Sequence, residues 1–276
     1  MSGAAHFGDR LAAAVERKGA SLCVGLYPDP ALMPEGLGVV EFCRGIVDAV
    51  GGAAVAVKPQ AAFFEAQGAD GWAALTEVCD YAREAGLLVI ADAKRGDVPS
   101  TARAYVAAFA PLADAVTVNP YLGFDSLEPF FARDGLGVFV VVKTSNPGSA
   151  DVQDLPLADG RPLWQHVAGL VDRWGADLVG ASGLSSVGAV VGATFPREVA
   201  EARRLLPRSV LLLPGVGAQG ARAGDLAEAF SVGPAGALVS ASRSVLYADR
   251  GAGWREAAAA EAERLADELR AVAVAG

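Results

Sequence analysis

Lysine is scarce in this chain. Of its 23 basic residues only Lys18, Lys58, Lys94 and Lys143 are lysines. Cysteine is scarce too: the 3 cysteines, Cys23, Cys43 and Cys79, lie within or beside apolar runs. An odd, scattered set builds no disulfide framework and reads as reduced core residues. The 2 histidines, His6 and His166, fall in or near helical patterns and offer neither a triad nor a metal cluster. No apolar run reaches the ~20 residues that a membrane-spanning helix needs. The stretch from Met1 to Arg10 lacks the basic start and apolar core of a secretory signal. Positive charge is in deficit overall, with a formal net charge of −9 at pH 7. An acidic surface of that kind is drawn neither to nucleic acid nor to acidic membranes. These absences predict a cytoplasmic protein with no membrane or nucleic-acid partner.

What is present is a long alternation of two patterns. Hydrophobic residues make up 53% of the 276, ample for a large core. Strand-like runs fall at about Ser21–Leu26, Ala53–Lys58, Leu87–Asp92, Ala115–Asn119, Val138–Lys143, Val187–Val191, Val210–Leu213 and Ala237–Ser240. Most are continuously apolar, as parallel strands buried on both faces require. Helical patterns separate them near Val39–Val50, Gly71–Ala85, Ser100–Phe109, Ser126–Arg133, Pro162–Trp174, Arg197–Leu206 and Ala223–Phe230, and Trp254–Val272 closes the series. An amphipathic segment, Gly8–Lys18, precedes the first strand and is closed by Gly19. The alternation predicts an α/β fold: a (β/α)8 TIM barrel with an extra N-terminal helix, one domain over residues 1–276. An open doubly wound sheet is the alternative, but its Gly-x-Gly-x-x-Gly signature is missing from the first strand–helix junction. Thr144–Arg161, rich in Pro, Gly, Ser and Asp, reads as a long irregular loop, and such loops usually cover or line a site.

Three of the four lysines directly follow strand-like runs, where a barrel places its chemistry. The third run continues as Asp92-Ala93-Lys94-Arg95-Gly96-Asp97. Alternation puts Asp92 and Lys94 on one face, while Ala93 and Arg95 point the other way. Charges that continue so apolar a run need a functional reason, because burying them is costly. Asp97 and Pro99 also suit the opening of the next helix, and Arg95 reads as solvated. Lys58 ends the second run on the face it shares with Ala56, within reach of Asp92. After the seventh run, Gly215, Gly217 and Gly220 let backbone amides approach an anion. After the eighth comes Ser240-Ala241-Ser242-Arg243-Ser244; an arginine there can take two phosphate oxygens at once. Barrels often bind phosphate with these two loops.

The Asp92–Asp97 segment resembles the Asp-x-Lys-x-x-Asp signature of the orotidine 5′-phosphate decarboxylase family, in the Asp-Ala-Lys-Arg-Gly-Asp form of its bacterial branch. Lys58-Pro59-Gln60-Ala61-Ala62-Phe63-Phe64-Glu65 resembles the matching segment of that branch, and the likeness runs from about Leu22 to Tyr247. It implies an alternating catalytic array of Lys58, Asp92, Lys94 and Asp97. It also implies substrate contacts from Ser145 to the pyrimidine, and from Gln219 and Arg243, beside Gly217 and Ser242, to the phosphate. A homodimer with shared active sites is implied as well, in which Asp97, Val98 and Thr101 cross into the partner's site. Tyr27 departs from the pattern: the family usually carries an aspartate there, which helps to hold the ribose hydroxyl and the first lysine.

The implied reaction is decarboxylation of orotidine 5′-monophosphate to uridine 5′-monophosphate without cofactor or metal. Lys94 would stabilise the carbanion-like transition state and donate the replacing proton. Two other readings stay open at this point, both sharpened by Tyr27. One is a paralogue acting on a different carboxylated nucleotide; the other is a catalytically silent nucleotide- or phosphosugar-binding barrel. The lysines interleaved among the acids disfavour a divalent metal, although the keto-gulonate phosphate decarboxylases, a barrel family with a similar motif, use magnesium.

Overall fold

In a computed structural model that describes residues 5–217 and 220–275, eight parallel strands close into a barrel in chain order. The strands are β1 (Leu22–Leu26), β2 (Ala56–Pro59), β3 (Leu88–Arg95), β4 (Ala115–Val118), β5 (Gly137–Lys143), β6 (Val187–Val191), β7 (Leu211–Pro214) and β8 (Ala237–Ala241). The closing pair aligns Cys23 with Ser240, so the open-sheet alternative is set aside. Strands this short and apolar can all be buried on both faces, because a closed barrel leaves no edge.

Side-chain alternation divides the core in two. Val57, Val89, Val116 and Val138 pack outward with the helices in one cluster, while Cys23, Ala56, Ile90 and Leu212 fill the interior in another. Helix α1 (Phe7–Lys18) joins the interior cluster through Phe7, Leu11 and Val15. It meets Leu184, Val210 and Ala235, each of which precedes a strand, so α1 closes the end of the barrel where the strands begin. Phe7 stands edge-on to Phe139, with ring centroids 5.8 Å apart. Gly19 ends α1 in the left-handed conformation at φ 69°, its amide donating to the Val15 carbonyl at 2.7 Å.

The outer layer comprises α2 (Val39–Val50), α3 (Ala61–Glu65), α4 (Gly68–Glu84), α5 (Pro99–Phe109), α6 (Phe124–Phe131), α7 (Ala150–Gln153), α8 (Leu163–Trp174), α9 (Pro196–Leu205), α10 (Arg243–Leu246) and α11 (Trp254–Ala275). No described helix is long and apolar enough to cross a membrane. The segment expected as a helix over Ala223–Phe230 is wound as a 3-10 helix. The stretch expected to be irregular, Thr144–Arg161, carries a 3-10 turn at Pro147–Ser149 followed by α7. The side chains explain this order. Gln153 accepts the Thr144 amide at 2.9 Å and donates to the Thr144 hydroxyl at 2.8 Å, and buried Lys143 bonds Asp154 at 2.6 Å.

The connection that follows Lys58 is packed to its limit. A Cβ at Gly71, near the start of α4, would fall inside contact distance of the Phe64 carbonyl in α3, and backbone there cannot give way cheaply. Gly71→Ala should therefore lower the unfolding free energy by about 1–3 kcal/mol, read as a lower urea midpoint. An unchanged midpoint would show that this packing carries no such constraint.

Candidate active site

The charged residues ending β2 and β3 converge at the C-terminal mouth. Gly25 of β1 pairs with Lys58, and Gln60 bridges to Asp92, so three strands deliver their ends to one place. Lys58 is 1% exposed and Asp92 3%. Asp92 Oδ2 accepts from Lys58 Nζ and from the Tyr27 hydroxyl, the latter at 3.2 Å. Its Oδ1 accepts from Lys94 Nζ and from the Thr117 hydroxyl, the latter at 3.1 Å. Four donors thus surround one buried carboxylate. Thr117 is the residue that pattern reading missed; its only signal is a hydroxyl within the apolar run of β4.

Lys94 does not simply continue the alternation of β3. Its φ of 47° makes it the one non-glycine in the left-handed region among the described residues, and the β3–β4 register shifts between Ala91 and Arg95. Its amide donates to the Thr117 hydroxyl at 2.9 Å, while Arg95 O takes the Asn119 amide at 2.8 Å. These bonds keep β3 paired to Arg95, beyond the Asp92 end expected from sequence. Backbone held in so sparsely populated a region clusters at functional sites. The Lys94 side chain is 42% exposed while its Asp92 partner is 4%, so Lys94 is the member of the set open to a ligand.

Arg95 is not the solvated residue expected. It pairs with Glu65 of α3, and its guanidinium lies over the Tyr105 and Phe109 rings at 5.3 and 5.5 Å. Those partners stand outside the barrel, opposite to the face bearing Asp92. Gly96 follows because a Cβ there would sit 2.7 Å from the Asn119 carbonyl oxygen. Asp97 takes the Val98 amide on its own carboxylate at 2.8 Å.

Two cavities open at the mouth. One, of ≈ 240 Å³, is lined by Tyr27, Lys58, Asp92, Lys94, Thr117, Thr144, Ser145, Asn146 and the strand residues beneath them. The other, of ≈ 280 Å³, is lined by Asp29, Phe63, Gly215, Ser242, Arg243, Tyr247 and their neighbours. Tyr27 and Pro214 belong to both. The absence of a side chain at Gly25 makes room for this arrangement. A Cβ there would collide with the Ser242 hydroxyl and lie 2.5 Å from the Tyr27 ring.

Of the residues singled out from sequence, Tyr27, Lys58, Asp92, Lys94 and Ser145 come together in the first cavity, and Ser242 and Arg243 in the second. Gly217, at φ 81°, lines a separate groove against α11. Gln219 lies outside the described residues. Asp97, Val98 and Thr101 line neither cavity of their own chain among the described residues. The tyrosine retains contact with the first lysine: Lys58 Nζ donates to its hydroxyl at 2.7 Å and lies 4.8 Å from its ring centre. That contact is a hydrogen bond to a phenol, not the carboxylate pairing that the family resemblance implies.

Burial alone would raise the Asp92 pKa, but the adjacent Lys58 and Lys94 ammoniums outweigh it and hold the carboxyl below its usual value of 3.8. Burial alone would lower Lys58, and Asp92 outweighs that and holds it above 10.5. A lowered acid adds stability that is present above 3.8 and lost as pH falls through its folded value. A raised base adds stability that is present below 10.5 and lost as pH rises through its folded value. Both contributions are therefore constant from about pH 5 to 9. In Asp92→Asn the buried Lys58 loses the charge that outweighs its burial, so denaturation midpoints of wild type and variant, taken from about pH 5 to 10, should differ most at the acid end and converge as pH rises and that lysine neutralises; a difference that widens with pH would refute this electrostatic reading.

A closed (β/α)8 barrel with fixed charges at its C-terminal strand ends defines a class of barrel proteins that do polar chemistry on small molecules. Residues 21–258 match the family described as Orotidine 5′-phosphate decarboxylase / HUMPS. The chain is 47% identical over 281 residues to the orotidine 5′-phosphate decarboxylase of Roseiflexus sp. (strain RS-1), covering 98% of this chain and 99% of that one. It is similar to the structure of Leishmania donovani OMP decarboxylase, with 37% identity, a TM-score of 0.81, and 98% and 99% of the two chains covered. Against Leishmania donovani UMP synthase the values are 39% and 0.83, with 98% of this chain and 57% of that longer one covered. The chain belongs to the orotidine 5′-phosphate decarboxylase / HUMPS family.

Proposed function

We propose that this protein decarboxylates orotidine 5′-monophosphate to uridine 5′-monophosphate. The observation that carries the reading is Asp92, buried between fully buried Lys58 and half-open Lys94 at the edge of a cavity. The reaction leaves an electron pair on a pyrimidine ring carbon as the bond to the carboxylate breaks and carbon dioxide departs. A fixed ammonium beside that carbon stabilises the pair, and an N–H of the same ammonium then supplies the proton. Lys94 is accessible and anchored for both tasks. Lys58 has two of its N–H bonds committed, to Tyr27 and Asp92, and serves to position Asp92. Ser145 faces the base end of the substrate. Arg243, exposed beside Ser242 in the second cavity, suits the phosphate.

Lys94→Ala should abolish turnover of orotidine 5′-monophosphate and leave the fold intact. Losing a positioned proton donor alone costs roughly 10²–10⁴-fold, and losing the charge in a dry site adds to that. Activity within about tenfold of wild type, measured as uridine monophosphate formed, would contradict the role given to Lys94.

The reading includes an obligate homodimer with shared sites. Asp97 lies outside its own chain's cavity, next to Val98, which is 52% exposed. The Gly96–Asn119 contact brings this loop beside Tyr121, 84% exposed, and Leu122 and Phe124, each 46% exposed. A twofold contact there is self-complementary, so it would deliver Asp97, Val98 and Thr101 to both sites at once. Mixing Lys94→Ala with Asp97→Ala subunits tests it. One site of each mixed dimer carries both lesions and the other carries neither, so exchange should restore roughly a quarter of wild-type activity by random pairing. Confirmed exchange with no return of activity would place Asp97 in its own subunit's service.

A further inference from the structure

The backbone turn that presents Lys94 is held from two sides. Its φ of 47° depends on how the peptide unit joining Ala93 to Lys94 is oriented. A planar trans peptide points its N–H and its C=O in opposite directions. Here the N–H donates to the Thr117 hydroxyl at 2.9 Å, and the C=O accepts from Arg95 Nη1 at 3.3 Å. Thr117 bonds Asp92 within the mouth, while the partners of Arg95 stand outside the barrel. Two side chains thus fix one peptide plane, just where the β3–β4 register shifts.

The outer holder is itself fixed. Arg95 pairs with Glu65 of α3 and lies over the Tyr105 and Phe109 rings of α5. Trp72 of α4 stands edge-on to Phe109, with ring centroids 5.6 Å apart. A planar guanidinium faces rings and still donates from both arms of its fork, whereas an ammonium donates from one point. Glu65 ends the segment that begins at Lys58, so the pair also ties the chain after β2 to the end of β3. Stability alone would not select this arrangement. Arg95 Nε is buried without a hydrogen-bond partner, and an unsatisfied buried donor costs folding free energy. Among the described residues that line the two mouth cavities, Arg95 is not included.

We infer that Arg95 is a positioning residue for Lys94: from outside the barrel it orients the peptide before Lys94 and so sets where the ammonium stands. On the decarboxylase reading, on which this inference rests, that ammonium must meet one ring carbon. A misplacement of ~1 Å can cost about a hundredfold in rate. On the same reading the phosphate lies beside Arg243 in the other cavity. Loss of Arg95 therefore costs turnover and spares nucleotide binding.

The test compares wild type with Arg95→Met, which keeps an apolar stem against the rings, and Arg95→Lys, which keeps the charge. Thermal unfolding checks that each variant is folded. Turnover is read as carbon dioxide released from orotidine monophosphate, affinity for uridine monophosphate by calorimetry, and Lys94 φ from crystals of each folded variant. Arg95→Met should lose about 10–100-fold in kcat, bind within about threefold of wild type, and show Lys94 turned out of the left-handed region. Arg95→Lys should restore little of the rate, because the fork and not the charge reaches Ala93. A kcat within about threefold of wild type in Arg95→Met, or an unmoved Lys94 backbone, overturns the inference. So does full recovery of rate in Arg95→Lys, or an affinity that falls in step with kcat. Where Arg95→Met fails to fold, the rate, affinity and Lys94 φ of Arg95→Lys decide by the same criteria. Wild type that releases no carbon dioxide sinks the decarboxylase reading, and the Lys94 backbone in the variant crystals then decides the inference alone.

Discussion

A carboxylate cannot be buried without partners, and the mouth of this barrel is organised around that constraint. Moving an ionised group out of water costs far more than a domain's net stability unless the charge is matched and hydrogen-bonded. Asp92 meets the requirement with two ammoniums, a phenol and a threonine hydroxyl, drawn from β1, β2, β3 and β4 and the turns after them. Removing one member would leave the others uncompensated, which typically costs about 3–5 kcal/mol for a buried pair. Within one chain, the two ammoniums against one carboxylate leave a surplus positive charge. In a protein whose formal charge is −9, that surplus is placed where an anionic ligand can reach it.

The two lysines differ in environment, and that difference separates their tasks. Lys58 reaches Asp92 from a regular strand and ends fully enclosed. Lys94 emerges from an irregular stretch of β3 with its backbone turned into the left-handed region. Such a conformation costs about 1–3 kcal/mol for a non-glycine residue and persists only where its surroundings enforce it. The enforcement is visible in the Thr117 hydroxyl, which takes the Lys94 amide and donates to Asp92, tying backbone and charge to one side chain.

Much of this was legible along the chain, for definite reasons. Strand alternation separates Ala56 and Lys58 from Val57, and the two faces fall into different core clusters as expected. Burial of Lys58 and Asp92 follows from the apolar runs they end. What was not legible depends on residues distant in sequence. Nothing in Ala115-Val116-Thr117-Val118 announces that its hydroxyl will face Asp92, and nothing near Lys94 announces a bulge. Order in the loop after β5 comes from Lys143 meeting Asp154 and Thr144 meeting Gln153, pairs with no local motif. Arg95 reads as a solvated arginine until Glu65, Tyr105 and Phe109 are placed around it.

Tyr27 joins the charge network through a phenol rather than a charged group. Its ring fits because Gly25 has no side chain and Phe63 stands edge-on to it, with centroids 5.6 Å apart. Its backbone carbonyl is held by the Tyr247 hydroxyl at 2.5 Å, and that ring stacks on Phe42. The hydroxyl therefore arrives at Lys58 and Asp92 from a rigid support and gives the buried lysine a second hydrogen-bond acceptor. A neutral group leaves the surplus positive charge undiminished, whereas an acid would cancel it. The same tyrosine thus ties the first strand's end to the buried pair without adding a carboxylate of its own.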